Sequence, residues 1–345
     1  MAAERPVRES LTMFRWFNSD KGTPVERFAR RDALKPIELL PWVLAIAAYY
    51  FFPSYLPLGS QILLTILFAI SLDLALGYAG IITLGHAAFF GAGAYAAGLY
   101  ALHVTGEPLS GLVVAGIAGG TLGLLSGLVI LRTSGLTLIM LTLAVLLLVQ
   151  EFANRARPIT GGADGLSGIS MKPIFGQFRF DLFGHTAYWY CLIVLFFVWL
   201  FALLLTRSPF GRALTGVREN VTRMHAIGAP VRRRLVTVYT ISAILAGIAG
   251  GLLAQTSQFV GLATLGFERS GEIVIMLVLG GIGRIYGAFV GVVIFMIAQD
   301  TFAKADPAFW SFWVGLMLVL IVLFARGGAL GIADQAWQWV RKVRR

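Results

Sequence analysis

The sequence predicts an all-α polytopic membrane protein with about ten transmembrane helices, some of them discontinuous, and a short cytoplasmic helix between the sixth and seventh. Of its 345 residues, 58% are hydrophobic and 13% are charged, whereas a soluble domain carries about 25% charged residues. So little charge cannot cover the surface of a soluble globule of this length. The apolar residues also gather in runs near the roughly 20 residues that a helix needs to cross a bilayer.

Ten apolar runs follow one another along the chain. They lie at residues 39–58, 61–78, 84–103, 109–131, 135–152, 187–206, 236–256, 272–282, 285–303 and 309–325. The run 272–282 is too short to cross alone, and only the glycine-rich stretch 281–287 separates it from its successor. Treating the two as separate crossings gives the expected total of ten.

The basic residues define the expected topology, because loops rich in Lys and Arg stay on the cytoplasmic side of a membrane. Residues 1–36 hold eight Lys or Arg and are interpreted as a cytoplasmic tail, and the loop 207–234 holds seven Arg and one acid. The basic C-terminal tail, 327–345, is also expected inside, which requires an even number of crossings on each side of the loop. The transmembrane domain is therefore 37–326. The net charge of +11 follows this topology and does not indicate nucleic-acid binding.

Glycine is abundant, with 40 residues, and much of it lies within the apolar runs. Small residues at four-residue spacing, such as Gly119, Gly123 and Gly127, allow membrane helices to approach closely. The clusters at 77–80 and 280–287 instead predict interrupted helices, which in transporters tend to line the substrate path.

Several acidic or histidine side chains lie within the runs or at their ends, and five of them are candidates for function. Placing a charged side chain in the bilayer core costs free energy, so such a side chain indicates a functional site. For Asp73 and His86 two roles remain open, contact with a substrate path or a hydrogen bond between helices. For Glu151, Glu272 and Asp300, near run ends, placement at the membrane interface is favoured. A metal site at His86 is disfavoured, because its helix has no second ligand at suitable spacing.

The internal loop reads RSPFGRALTGVRENVTRMHAIG at 207–228. Pro209 is typical of a helix start and Gly228 of a helix end. The segment between them predicts a short charged helix on the cytoplasmic side. An ordinary basic loop that obeys only the positive-inside rule is the alternative interpretation.

This loop resembles the coupling loop of ATP-binding-cassette importer permeases, specifically the LivM type of the branched-chain amino-acid permease family. Four further segments are similar to motifs of that family and occur in the same order, over roughly residues 60–325. They are GYAGIITLGHAAFFGAGAY at 77–95, TGGADGLSG at 160–168, ISAILAGIAG at 241–250 and VLGGIGRIYGA at 278–288.

The resemblance implies a permease subunit of an ATP-driven importer of branched-chain or related amino acids in the cell inner membrane, with both termini cytoplasmic. It implies a second, LivH-like permease, two ATP-binding-cassette subunits, a periplasmic substrate-binding protein and surrounding membrane lipid as partners. None of the five lysines follows a glycine, so the chain lacks the Gly-Lys of a phosphate-binding loop. No cofactor is therefore expected on this chain, with ATP and Mg²⁺ on the partner subunits.

The loop motif gives candidate coupling residues, and the polar residues around the first glycine cluster give candidate path residues. Those expected to couple the permease to the ATPase are Pro209, Phe210, Gly211, Arg212, Arg218, Glu219, Asn220 and Gly228. Those expected to line the substrate path are Asp73, Tyr78, Thr83, His86 and Tyr95.

Three other functions compete with the importer-permease interpretation. A member of the same family that carries urea, short amides or aromatic acids is a close alternative. A self-sufficient proton-coupled carrier, with Asp73 or Glu272 as its proton site, belongs to a different class, and the loop motif argues against it. A rhomboid-type protease is disfavoured, because Ser167 of the GLSG sequence lies in a polar loop and the later histidines, His185 and His225, are not within a run.

The topology can be tested with cysteines introduced one at a time at Gly165 and Gln335. A membrane-impermeant thiol reagent added outside is expected to modify position 165 and to leave position 335 unmodified, because 153–186 is predicted outside and both termini inside. Modification at 335 without modification at 165 would contradict this orientation.

Overall fold

A computed structural model describes residues 39–174, 176, 178–181, 183–324, 328 and 331. The described part is helical apart from irregular connections and two isolated β-bridges. The chain separates into two compact units, Met1–Leu44 and Ala45–Arg345. Of the first unit the structure describes residues 39–44 only, and the contacts reported below belong to the second unit.

Thirteen α-helices follow one another in the described residues. They are α1 (Leu40–Phe51), α2 (Leu56–Asp73), α3 (Ala87–His103), α4 (Pro108–Ile130), α5 (Leu136–Arg155), α6 (Arg157–Thr160), α7 (His185–Arg207), α8 (Pro209–Glu219), α9 (Val221–Ala226), α10 (Val231–Ser257), α11 (Phe267–Gly280), α12 (Ile285–Ala305) and α13 (Trp310–Phe324). A π-helical turn at Leu74–Tyr78 continues α2, and 3₁₀ turns lie at Pro53–Tyr55, Gly162–Asp164 and Leu262–Leu265.

Six of the described helical stretches are long and apolar enough to cross a membrane, so the chain is a multi-pass membrane protein. They are Pro53–Tyr78, Pro108–Ile130, Leu136–Arg155, His185–Arg207, Val231–Ser257 and Ile285–Ala305. Each of the other four predicted runs overlaps a helix of fewer than 18 residues. These helices are α1, α3, α11 and α13, of 12, 17, 14 and 15 residues. The count of ten crossings therefore stays a prediction.

The boundary between the first two helices lies closer to the N-terminus than the apolar runs predicted. Helix α1 ends at Phe51, and α2 begins at Leu56 with a proline in its first turn. The predicted boundary, at 58–61, came from apolar composition, which continues through the turn. Pro53 and Pro57 set the real boundary, because proline is accommodated at a helix start and not in a helix interior.

Helices α3, α4 and α10 pack with their backbones in direct contact. A Cβ atom added at Gly93 would overlap the backbone of Gly247, and one added at Gly119 would lie 2.9 Å from Gly247 Cα. At Gly123 an added Cβ would overlap the side chain of Ala243. The close packing predicted from the four-residue glycine spacing of α4 is therefore confirmed.

The predicted external loop packs against the helices. Leu166 and Val260 exchange backbone hydrogen bonds of 2.8 and 3.0 Å, which joins the loop to the connection between α10 and α11. Leu166 and Ile169 are buried against Gly98 of α3. The sequence TGGADGLSG thus forms an ordered cover over one end of α3 and α10.

The glycine packing predicts a steep dependence on side-chain size. Gly247→Val is expected to destabilise the protein by more than the ~1–3 kcal/mol of ordinary overpacking, because the added atoms meet the backbones of Ala115 and Gly119. Gly315→Val is the matched control, because a Cβ at Gly315 meets no atom within 4 Å. Thermal unfolding in detergent measures both, and equal stability of the two variants would contradict the packing described.

Candidate functional site at two helix breaks

Two helices of the membrane domain are interrupted by glycines. Helix α2 passes into the π-turn and ends at Tyr78, and the chain becomes helical again at Ala87. Gly80 takes a positive φ of 74° in this first break. The second break separates α11 from α12, where Gly281 and Gly283 have φ values of 113° and 78°. The interruptions predicted from the glycine clusters therefore exist, and both leave backbone groups without helical partners.

Asp73 joins the first break to the second. Its Oδ1 accepts a 2.7 Å hydrogen bond from the backbone N–H of Gly283. Gly77 lies so close to this pair that an added Cβ would overlap Asp73 Oδ1 and lie 2.6 Å from Gly283 N. Asp73 is 1% exposed, and its Oδ2 has no hydrogen-bond partner among the described residues. The contact leaves one buried carboxylate oxygen free beside both breaks.

Arg218 connects the loop helix α8 to the same place. Its Nη1 donates a hydrogen bond to the carbonyl oxygen of Gly77. Cβ atoms added at Gly80 and Gly283 would lie 3.1 Å from Arg218 Cγ and 2.8 Å from Arg218 Nη1. One side chain of α8 therefore lies against the backbone of both breaks.

The start of α8 is specified locally. The hydroxyl of Ser208 accepts the backbone N–H of Gly211 at 3.3 Å and caps the helix, and Pro209 occupies its first turn. Gly211 has no room for a side chain, because an added Cβ would overlap Thr206 O. Capping residues of this kind are worth roughly 1 kcal/mol. Ser208 was missing from the predicted site, although a Ser-Pro pair before a helical segment is a recognisable signal.

The end of the loop is built in the same way. Asn220 caps α9 by accepting the N–H of Arg223 at 2.8 Å, and Gly228 closes it with a φ of 76°. Two of the residues predicted to couple the subunits thus have local structural roles. On α8 itself, Leu214 and Val217 are buried and Glu219 is exposed.

His86 belongs to a separate buried cluster beside the first break. Its Nε2 lies 3.0 Å from Ser71 Oγ and 3.5 Å from Ser242 Oγ, and its ring stacks on Phe68. The hydroxyl of Ser71 donates to Phe68 O, and that of Ser242 donates to Ser71 O. Since both hydroxyl protons are used, Nε2 donates to Ser71, and Nδ1 is a buried acceptor without a partner among the described residues.

The segment between the first break and α3 is held by side-chain hydroxyls. Thr83 Oγ1 accepts the N–H of Gly85 at 3.1 Å, and Thr142 Oγ1 accepts the N–H of Leu84 at 3.3 Å. Ser270 Oγ of α11 accepts the N–H of Ala87, the first residue of α3, at 3.0 Å. These bonds satisfy backbone donors that the interrupted helix leaves open.

The remaining predicted path residues are placed apart from one another. Tyr78 is half-buried, with its phenol beside Thr206 and the backbone of Ile285. Tyr95 lies nine residues after His86 on α3, roughly 13 Å along the helix. Its side chain packs in the cluster that contains Leu166. The structure therefore places Thr83 and His86 within the first break and Asp73 and Tyr78 at its start, and it does not bring Tyr95 there.

Sequence reasoning missed the partners that complete this site. These partners come from other segments of the chain. Asp73 binds the backbone of Gly283, and His86 meets the hydroxyl of Ser71. The hydroxyls of Ser242 and Ser270 bind the backbones of Ser71 and Ala87. Serines in apolar helices gave a weak signal, because most hydroxyls there bond to their own helix backbone.

The contact between the breaks predicts a graded response at Asp73. Asp73→Ala removes the acceptor of the Gly283 N–H and is expected to cost about 1–3 kcal/mol. Asp73→Asn retains an acceptor oxygen and is expected to cost less. Limited proteolysis and thermal unfolding of the purified protein measure both changes. Equal loss of stability in the two variants would contradict the role of the hydrogen bond.

Comparisons with known proteins agree with this architecture. Residues 55–322 match the family described as "Branched-chain amino acid transport system / permease component". The LivM permease of the high-affinity branched-chain amino acid transport system of Escherichia coli K12 is 27% identical over 284 residues, covering 76% of this chain and 67% of that protein. No solved structure matches the chain.

Two further relatives extend the comparison. The L-arabinose ABC transporter permease protein AraH of Azospirillum brasilense is 32% identical over 225 residues, 61% of this chain and 64% of that protein. The probable branched-chain amino acid transport permease protein LivH of Methanocaldococcus jannaschii is 26% identical over 254 residues, 68% of this chain and 78% of that protein. Since the family match spans well over half of the sequence, the chain belongs to the family of branched-chain amino acid transport system permease components.

Proposed function

We propose that this chain is a membrane-spanning permease subunit of an ATP-driven importer of branched-chain or related amino acids in the inner membrane. The observation that carries the mechanism is the hydrogen bond from Arg218 of α8 to Gly77 O in the first helix break. In this proposal a LivH-like second permease completes the path, two separate ATPase subunits supply ATP hydrolysis, and a periplasmic protein delivers the substrate.

The exposed face of α8 is the proposed contact with the ATPase. Arg212, Thr215 and Glu219 are exposed and recur at the spacing of one helix face, opposite the buried Leu214 and Val217. A short capped helix, fixed at its start by Ser208, transmits displacement better than a loose loop would.

The proposed transmission runs from α8 to the breaks. Displacement of Arg218 pulls on the carbonyl of Gly77 and presses on Gly80 and Gly283. Asp73 then carries the movement from the first break to the second, because it binds the N–H of Gly283. Glycines and π-turns are where a helix bends most easily, so motion concentrates at the path.

An amino acid is the favoured substrate class. The LivM relative covers 76% of this chain, whereas the arabinose permease covers 61%. In transporters, broken helix ends can supply N–H donors for a carboxylate and carbonyl acceptors for an ammonium, the two groups of a zwitterion. Sugars, urea, short amides and aromatic acids remain competing substrates within the same transport mechanism, and uptake measurements separate them.

A proton-coupled carrier is the alternative from another class. In that mechanism Asp73 would take and release the proton, and α8 would have no partner. The Asp73–Gly283 hydrogen bond and the Arg218–Gly77 contact give these residues a mechanical role instead. Such a carrier would be stopped by Asp73→Asn and would be insensitive to changes on α8.

Charge reversal on α8 tests the coupling. Glu219→Lys is expected to abolish uptake by the assembled transporter while membrane insertion stays normal, because Glu219 is exposed and outside the six long spans. A residue at a packed interface contributes about 1–3 kcal/mol, which corresponds to a roughly ten- to hundredfold weaker complex. Uptake, ATPase activity and co-purification of the ATPase are the measurements.

Two variants sharpen this test. Arg233→Glu, at an exposed position early in α10, is the matched charge reversal and is expected to leave uptake within about twofold of normal. With Arg218→Gln the ATPase should stay bound and should still hydrolyse ATP, while uptake fails. The reason is that the variant loses the Arg218–Gly77 hydrogen bond and leaves the exposed face of α8 unchanged. Normal uptake with Glu219→Lys would refute the assignment of α8.

A further inference from the structure

Arg269 carries a positive charge into the membrane domain from the first turn of α11. Its Nη1 is 3.2 Å from Glu272 Oε2, and its Nη2 donates to Thr65 Oγ1 at 3.4 Å. The guanidinium also lies over the ring of Phe90, 5.6 Å from the centroid. Arg269 therefore contacts its own helix, α2 and α3 at one point.

The contact with Thr65 fixes the depth of this pair. Thr65 lies halfway along the 26-residue span Pro53–Tyr78, so it is roughly 20 Å from either end at 1.5 Å per residue. If this helix crosses the bilayer along its whole length, a guanidinium that bonds to Thr65 lies near the middle of the membrane. The membrane-interface position favoured for Glu272 from sequence stays a prediction, and the Thr65 contact supports mid-depth instead, where charged groups indicate a functional site.

The ion pair is open on one side. The side chains of Arg269 and Glu272 are 25% and 33% exposed. Gly271, in the same helical turn, points away from the pair, and a Cβ added there meets no atom within 4 Å. Ser270 and Ile273 lie on the packed side of α11 and are buried. Hydrogen bonds within the described residues use two of the five N–H donors of Arg269, which leaves capacity for a ligand.

We propose that Arg269 and Glu272 form the site on this chain that binds the charged groups of an α-amino acid during translocation. Arg269 binds the carboxylate, and Glu272 binds the ammonium. This inference rests on the proposed transport function and names the groups that select its substrate.

Charge balance favours a zwitterion at this site. A buried ion pair that loses one partner leaves an uncompensated charge at high cost. An α-amino acid presents both complementary charges together, so each side chain exchanges one charged partner for another and the site stays neutral. Urea and sugars lack these charges and leave the Arg269–Glu272 pair closed.

Thiol labelling tests this proposal in the complete transporter with its partner subunits. Gly271→Cys places a thiol at an open position in the helical turn that carries both charges, and the native Cys191 is fully buried. A small hydrophilic methanethiosulfonate is expected to modify Gly271→Cys, and excess L-leucine is expected to slow the modification several-fold. Urea and glucose should have no effect, and labelling of Gly315→Cys should not respond to leucine.

Combined variants identify the binding groups. With Gly271→Cys in place, Arg269→Gln or Glu272→Gln should abolish protection by leucine while labelling persists. Glu268→Gln changes an exposed acid of the same helical turn. In this control, leucine should still protect Gly271→Cys from labelling. In uptake measurements Arg269→Gln should lower the rate for leucine roughly ten- to hundredfold, as expected for a lost charge-assisted hydrogen bond.

The outcomes separate the inference from the function on which it rests. Failure to label Gly271→Cys would mean that lipid or the second permease covers the pair, which overturns the inference. Leucine uptake that is equal in Arg269→Gln and Glu268→Gln overturns it as well and leaves the proposed function standing. Uptake of urea or glucose without any amino acid would overturn the substrate class and the inference together.

Discussion

Backbone groups exposed by two interrupted helices impose the main constraint on this protein. In a hydrocarbon environment each unpaired N–H or C=O costs several kcal/mol, so a broken helix persists only where protein groups satisfy its ends. Here Asp73 accepts the N–H of Gly283, and Arg218 donates to the carbonyl of Gly77. The hydroxyls of Ser270 and Thr142 satisfy the segment that leads into α3.

The residues that satisfy the backbone groups of the two breaks stabilise the fold and also form the candidate functional site. The groups that hold the breaks together come from helices far apart in sequence and from the loop helix α8, so no break can move alone. The glycines permit this arrangement because they remove the side chains that would separate the backbones. At Gly77 even one methyl group would displace the carboxylate of Asp73. The same close approach brings Arg218 of α8 into contact with the first break.

Two kinds of buried polar group have different consequences in this domain. Ser71, His86 and Ser242 bond mainly to one another, and they lie fully inside the packed helices. Such a network specifies how α2, α3 and α10 fit together. Arg269 and Glu272 are also paired, but they are partly exposed on an open face. Exposure, and not the presence of charge alone, distinguishes a candidate binding site from a structural contact.

Local residues determined much of the architecture. Low charge and long apolar runs established a helical membrane protein, because lipid leaves few alternatives for the backbone. Glycine clusters located both interruptions, since glycine acts on the backbone where it stands. Pro209 and Gly228 were predicted to bound one loop helix, but the extended backbone of Asn220 divides that segment into α8 and α9. Segment ends were less accurate where apolar composition runs through a turn, as between α1 and α2.

The site required the tertiary structure. Arg218 meets Gly77 across 141 positions of sequence, and Asp73 meets Gly283 across 210. Nothing near Arg269 in the sequence indicates that its guanidinium reaches Thr65. Composition and spacing report what a residue prefers locally, and they determined the helices, the breaks and the loop. Which side chain reaches which break depends on how helices from distant parts of the sequence pack. Only the tertiary structure determines those contacts.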